Sequence, residues 1–458
     1  MEIASVPYKS ILNGSNIMKP NYHLNYGKKR IERAVKNKKS FIPLGDAVKD
    51  VYTGGIFKRV FVEKEEYGLP YISAQHMMSS NPLEVAKTIS KKYTPRQEDM
   101  TLRNKQILVS CAGTVGNVRL IGEDLDGVIG SQDIIRVIAK EGDYPFGYVY
   151  AYLASPTAYN YIQSFIYGSV VPRIEPNTLS KLPVPCFSEE IRKKIHLLIE
   201  ASLNERGNGI EMLKKAVAQL ESRLPDLNKE SIYRLPLSKI GKYRSRFEAT
   251  LQINSTNEFY AKLEFEGVEI KPISDLSASV FTPNIFKRIK VKKSQKSVPY
   301  SGGAELLNFR PKLDTYLSSN TKNLVDYKLR RGYLAIQDSG SIQSMGYVSI
   351  IPDYLDGIAA TNNLVRVVPN EENNMNEYIY AFLKTQQANA ILKNSAYGTG
   401  QLHIDTNLIK DLKVPLFKDL IKDVSNSVKG YLNLIEQAYQ KEKEAIDLVE
   451  KEIESWQK

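Results

Sequence analysis

The sequence predicts an α+β protein in which two similar mixed α/β domains are separated by two long antiparallel helices. The helices form a coiled-coil-like spacer, and the halves are related by a pseudo-twofold. Three observations predict this. Blocks of the first half recur about 229 residues later, each copy opens with short β-branched runs punctuated by glycine and proline, and each copy closes on apolar residues spaced three and four apart. With 458 residues, 42% hydrophobic and 25% charged, the chain has an ordinary globular composition and room for several domains of roughly 150 residues.

The repeat holds its register over long distances. Ile56-Phe57-Lys58-Arg59-Val60 returns as Ile285-Phe286-Lys287-Arg288-Ile289, and Leu69-Pro70-Tyr71 as Val298-Pro299-Tyr300, both at an offset of 229. At an offset of 230, Leu125-Asp126-Gly127 returns as Leu355-Asp356-Gly357, Ile135-Arg136-Val137 as Val365-Arg366-Val367, and Tyr167-Gly168-Ser169 as Tyr397-Gly398-Thr399. Between these blocks the offset falls to 227, where Ile107-Leu108-Val109 meets Leu334-Ala335-Ile336. The second copy regains residues beside Gly340 to Gly346, opposite Gly113-Thr114-Val115-Gly116. A length change of this kind marks a surface loop, where recognition residues concentrate. So long a period means a duplicated domain, since solenoid units repeat every 20 to 50 residues or so.

Taken in order, residues 42–185 and 272–415 read as strand and turn, with strands expected at 106–110, 117–121 and 133–138 and a helix at 148–165. From Glu189, the apolar positions Ile191, Ile195, Leu198, Ile210, Leu213, Val217, Leu220 and Leu224 form a helical seam. Val424, Val428, Tyr431, Ile435, Ala438, Ile446, Val449, Ile453 and Trp456 form a second. Each helix opens after a Val-Pro pair, and Pro225 stops the first. At about 35 residues and 1.5 Å per residue, each is a strut of roughly 50 Å. The expected divisions are residues 1–186 for the first domain, 187–226 for the first spacer helix, 227–252 for a linker, 253–416 for the second domain and 417–458 for the second spacer helix.

Sixty-three Lys and Arg against fifty-one Asp and Glu leave a net charge of +12. Split at residue 230, the halves carry +7 (32 basic, 25 acidic) and +5 (31 basic, 26 acidic). Two basic modules favour a polyanionic partner, with nucleic acid first, and would bind one duplex cooperatively with steep salt dependence. Basic residues are densest at 287–296, six in ten, and at 28–39, seven in twelve. The alternation around Ile289 and Val291 suits a strand with a positive outer face lying along phosphates, so Lys287, Arg288, Lys290, Lys292 and Lys293 are DNA-binding candidates, as are Lys58 and Arg59 in the first copy. The 28–39 run reads instead as an amphipathic N-terminal helix. Base reading needs directional donors and acceptors. The glycine-bearing turns present Gln75, Ser110, Thr114, Asn117 and Gln132 in the first copy and Gln337, Ser341, Gln343 and Ser344 in the second, with Arg173 beside them. These residues differ between copies while the framework agrees, so the modules are expected to read different bases.

No catalytic motif accompanies this. The S-adenosylmethionine loop and Asn-Pro-Pro-Tyr motif of an amino methyltransferase are missing, as are a Gly-x-x-x-x-Gly-Lys phosphate loop, a Gly-x-Ser-x-Gly elbow and a His-Glu-x-x-His helix. Glu269-Ile270-Lys271 lacks an evident partner aspartate for magnesium. Cys111, Cys186, His23, His76, His196 and His403 are not clustered at metal-ligand spacing. The start of the chain lacks a signal-peptide pattern, and a cytoplasmic, non-enzymatic recognition subunit without a cofactor or metal of its own is expected.

Arg103-Asn-Lys-Gln-Ile-Leu-Val-Ser-Cys-Ala-Gly-Thr-Val-Gly-Asn-Val118, then Tyr167-Gly-Ser-Val-Val-Pro-Arg-Ile-Glu-Pro-Asn-Thr-Leu-Ser-Lys-Leu-Pro-Val-Pro185, then a long helix, resemble the target recognition domain and spacer helix of the DNA specificity subunit of type I restriction-modification systems. The likeness covers both halves. It implies that each target recognition domain reads half of a split double-stranded sequence. It also implies that the helices set the gap and bind two modification (methyltransferase) subunits, which methylate adenine with S-adenosylmethionine. In assemblies that also cleave, ATP- and Mg-dependent restriction subunits join. Where the family has Pro-Leu-x-Glu-Gln after Val-Pro, this chain has Cys186-Phe-Ser-Glu-Glu190 and Leu416-Phe-Lys-Asp-Leu420. The alternative is a recognition subunit of a methylation-only or other phage-defence assembly without a nuclease. An RNA-binding scaffold would need an aromatic platform on a sheet, and the tyrosines show no such pattern.

Overall fold

The computed structural model describes residues 6, 8–13, 19–168, 170–227, 254–340, 345–373, 375–398 and 402–458. It comprises two compact units, residues 1–207 with 437–458, and residues 208–436. Most of the linker expected at 227–252, and 341–344 in the lengthened loop, lie outside the described residues.

The first unit contains a four-stranded antiparallel sheet in the order Val48–Thr53, Ile134–Ala139, Ile107–Ser110, Val118–Leu120. β-branched residues dominate its inner strands, and Ile107 to Ser110 are all buried, as expected of a strand covered on both faces. A smaller sheet joins Lys87–Ser90, Gly68–Ile72 and Ile129–Gly130, the last pair parallel. Phe41–Pro43 pairs with Pro183–Pro185, so the domain's first strand meets its last just before the first long helix. One helix was expected at 148–165, and two are present, Phe146–Leu153 and Pro156–Ser164. The break is local chemistry: Ser155 is extended, its side chain accepts from the Ala158 N–H at 3.2 Å, and Pro156 starts the second helix, where a missing N–H costs nothing.

The second unit repeats this plan. Its larger sheet runs Ser277–Phe281, Leu364–Pro369, Leu334–Gln337, Val348–Ile350, and its smaller sheet Lys290–Val291, Thr315–Ser318, Ser297–Ser301, Ala359–Ala360. Glu269–Pro272 pairs with Lys413–Leu416, and Asn376–Leu383 and Gln386–Asn394 are the paired helices. Even irregular backbone recurs. Arg96 (φ 50°) and Asn323 (φ 55°), both left-handed, each precede a four-residue helix.

The first long helix is Glu189–Glu221, 33 residues, and the second Ile421–Ser455, 35 residues. In the first unit, Ile195 and Ile199 share a core with Ala445, Val449 and Ile453. In the second, Ala216 and Leu220 share one with Val424 and Val428. In the first unit the Phe187 ring meets the Trp456 ring and the Ser202 hydroxyl donates to the Ala438 carbonyl at 2.7 Å, and in the second Gly209 lies against Leu434 and Arg223 bonds Asp419 at 2.8 Å, so in each unit rising numbers on one helix meet falling numbers on the other and the pair is antiparallel there. Gly209 allows close approach: a Cβ there would lie 3.2 Å from the Leu434 Cβ.

Candidate nucleic-acid interface

In each unit an arginine on the larger sheet gathers carbonyls beside the smaller one. Arg136, fully buried, donates to the carbonyls of Ile134 (2.9 Å), Gly130 (2.8 Å), Met100 (3.1 Å) and Ser131 (3.3 Å). Arg366 donates to those of Leu364 (2.7 Å), Thr361 (3.1 Å), Ala360 (3.4 Å) and Tyr327 (3.4 Å). Burial pushes the Arg366 guanidinium down to about 10, still charged at neutral pH. Arg119, also buried, holds the Met77 and Ser79 carbonyls at 2.7 and 2.6 Å and so fixes the turn that displays the exposed Gln75. Sequence reasoning did not assign these roles. For Arg136 and Arg366 the available signal was an arginine inside a β-branched run, present at the same place in both copies, whereas Arg119 has Ser349 at its place in the second.

Met100 and Tyr327, whose carbonyls Arg136 and Arg366 hold, belong to the apolar clusters on which the loops with the basic candidates rest. Phe57 packs against Tyr71, Ile89, Met100 and Ile129, and Phe286 stacks on Tyr327 with centroids 3.7 Å apart. With the phenylalanine anchored inward, the flanking residues face out: Ile56 and Ile285 are each 88% exposed, and Lys58, Arg59, Lys287 and Arg288 are exposed. Arg59 donates to the Tyr71 hydroxyl at 3.3 Å, while Arg288 donates to the Asn362 side-chain oxygen at 3.2 Å and lies over the Tyr300 ring. Lys290, Lys292 and Lys293 are exposed as expected, but the long strand is not there. Only Lys290–Val291 pairs, opposite Tyr316 and Leu317, because a turn at Ser294–Ser297, closed by the Ser297 N–H to the Ser294 carbonyl at 3.2 Å, reverses the chain.

A second cluster gathers at the end of the larger sheet of the first unit. The Cys111 N–H donates to the Asp133 carbonyl, the Ile174 N–H to the Cys111 carbonyl and the Gly113 N–H to the Pro172 carbonyl, at 3.0 to 3.1 Å. These bonds bring exposed Thr114, half-buried Asn117 and Gln132, and Arg173 onto one end. Arg173 lies 3.6 Å from the Asp133 carboxylate, and the buried Gln132 Oε1 has no partner among the described residues. Ser110 must be corrected. It is fully buried, its hydroxyl donating to the Thr114 carbonyl and accepting from the Asn117 N–H at 3.0 Å, so it closes the turn and does not face a ligand. In the second unit, Ser339 pairs with His403, which stands where the first has Arg173. Gln337 is half-buried, its amide nitrogen donating to the Ser339 carbonyl at 2.9 Å. Burial raises the nearby Asp338 carboxyl. Ser341, Gln343 and Ser344 lie outside the described residues.

The 28–39 run forms the helix Tyr26–Lys36. Its Arg30 is buried against Glu450, against Glu454 at 2.7 Å and against the Thr157 hydroxyl at 2.7 Å, while Lys29, Arg33, Lys36, Lys38 and Lys39 are exposed. Cys111 is buried, which pushes its thiol up to about 12, far from a reactive thiolate. Among the described residues, no helix is long and apolar enough to cross a membrane.

Residues 39–204 match the family model described as the type I restriction modification DNA specificity domain. No curated protein matches the chain. Among solved structures, it is similar to the type I restriction-modification system S subunit from M. genitalium, at 16% identity and a TM-score of 0.29, over 92% of this chain and 96% of that one. It is also similar to the HsdS subunit from Thermoanaerobacter tengcongensis, at 12% identity and a TM-score of 0.28, over 90% of this chain and 95% of that one. The family match runs from just before the strand Phe41–Pro43, through the larger sheet and into the first long helix, so this stretch of the chain is similar to the type I restriction modification DNA specificity domain.

Proposed function

We propose that this chain is the sequence-specific DNA-binding subunit of a type I restriction-modification complex. It recognises a bipartite double-stranded target and directs adenine methylation by partner subunits. The observation that carries this reading is the specificity-domain match at 39–204, together with the recurrence of the same strand order in the second copy. Residues 1–186 and 253–416 act as the two target recognition domains, and 187–226 and 417–458 as the spacer helices. Thr114, Asn117, Gln132 and Arg173 in one copy, and Gln337 with the loop after it in the other, supply base contacts. Lys58, Arg59, Lys287, Arg288, Lys290, Lys292 and Lys293 supply phosphate contacts.

The chain performs no chemistry itself. Two methyltransferase subunits carry S-adenosylmethionine, restriction subunits using ATP and Mg join where the assembly cleaves, and the complex works in the cytoplasm. The test is to map methylated adenines across the host genome with and without this gene. One split motif is expected to lose methylation when the gene is removed. An unchanged methylation pattern, or methyl transfer by the purified chain alone, overturns the reading.

A further inference from the structure

The two copies agree in register but not in charge, and we infer that the smaller sheet of the second copy is the chain's main phosphate-gripping surface, which its counterpart in the first copy is not. This rests on the DNA-recognition reading and adds which copy supplies the sequence-independent affinity.

Strand pairing makes the equivalence secure. Phe61 lies opposite Ile89 as Lys290 lies opposite Leu317, and Gly68 opposite Ser90 as Ser297 lies opposite Ser318. The hairpin residues 61–67 therefore correspond to 290–296. The first reads Phe-Val-Glu-Lys-Glu-Glu-Tyr, three acids and one base, and the second Lys-Val-Lys-Lys-Ser-Gln-Lys, four bases and no acid. The neighbouring strand of the first copy adds Lys87, Lys91 and Lys92, so the whole region decides the matter. Residues 54–102 hold seven basic and six acidic side chains, net +1, and residues 283–329 ten basic and three acidic, net +7.

Three of the first copy's seven cations are also engaged locally. Lys64 is 3.9 Å from Glu66, Arg96 bonds Asp99 at 2.6 Å, and Lys91 reaches the Glu66 carbonyl at 3.3 Å. In the second copy Lys287, Lys290, Lys292, Lys293 and Lys296 are all exposed. The first half instead holds its excess on the helix Tyr26–Lys36 and the residues after it, outside this sheet. A surface of +7 with extended, solvent-facing lysines suits the regularly spaced charges of a duplex backbone, whereas one near neutrality gains little from it.

The test is a salt titration of the full chain on a mixed-sequence 30-base-pair duplex. Matched triple reversals are compared: Lys290→Glu with Lys292→Glu and Lys293→Glu, against Lys87→Glu with Lys91→Glu and Lys92→Glu. Each lost phosphate contact flattens the plot of log K against log salt by about 0.9. The second-copy triple is expected to flatten it by about 2 to 3, and the first-copy triple by less than about 1. Equal flattening, or a larger loss from the first copy, overturns the inference while leaving DNA recognition intact. A wild-type chain without salt-dependent duplex binding would instead overturn the recognition reading and the inference with it. Glutamine replacements at the same positions, with thermal melts, guard against misfolding, and are expected to give the same ranking.

Discussion

At the scale of single residues, Arg136 and Arg366 show how a charge becomes structural. Each is buried between strands and surrounded by carbonyl acceptors, so removing the guanidinium leaves several dipoles unsatisfied. Arg366→Met is expected to destabilise the chain by about 3 kcal/mol in denaturant melts, whereas Lys292→Met, at an exposed site, is expected to stay within about 0.5 kcal/mol. A loss of under about 1 kcal/mol for Arg366→Met would contradict the structural role. His196 sets a pH dependence. Burial is the main cause lowering it below 6.5, and Lys105 adds to this while Glu200 opposes it. His76 is lowered likewise, by burial and then by Lys87. The unfolded chain then binds these protons more readily, so stability is present above the ordinary histidine value and falls as pH drops below about 6.5. Melts at pH 7.5 and 5.5 check the sign, and His196→Phe is expected to flatten the fall. None of this was legible beforehand, because burial of an arginine or histidine depends on which strands cover it, and that is tertiary information.

At the scale of elements, the large sheets and long helices were legible because their apolar periods are long and consistent. Ile107–Ser110 and Ile134–Ala139 fall within a residue of expectation, and both long helices start just after their Val-Pro pairs. The helix break at Ser155-Pro156 was signalled by its own residues but outweighed by the apolar run on both sides. The shortness of Lys290–Val291 was hidden because alternating lysines look alike on a strand and in a turn. Helix packing gives a further expectation. Alanine normally favours a helix over glycine by about 1 kcal/mol, but a Cβ at Gly147 would sit 2.9 Å from the His196 carbonyl oxygen and 3.0 Å from its Cα, where backbone cannot yield cheaply. The clash wins, so Gly147→Ala is expected to lower stability by about 1 to 3 kcal/mol, and a stabilised variant would contradict the packing.

At the scale of the whole chain, duplication explains why recognition can be modular. One framework, held by the same buried arginine and the same strand register, carries unlike residues at its loops: Arg173 of the first copy corresponds to His403 of the second, and Gln132 to Asn362. The repeat and the recognition class were therefore readable from the sequence. The individual contacting side chains were less so, since Ser110 proved buried and turn residues look similar whether or not they meet a ligand. The most direct measurement exchanges residues 1–186 for the equivalent segment of a related chain and maps the methylated adenine motif of the resulting complex. One half of the motif is expected to change while the other half and the gap between them are kept. A change in both halves, or in the spacing, would contradict it.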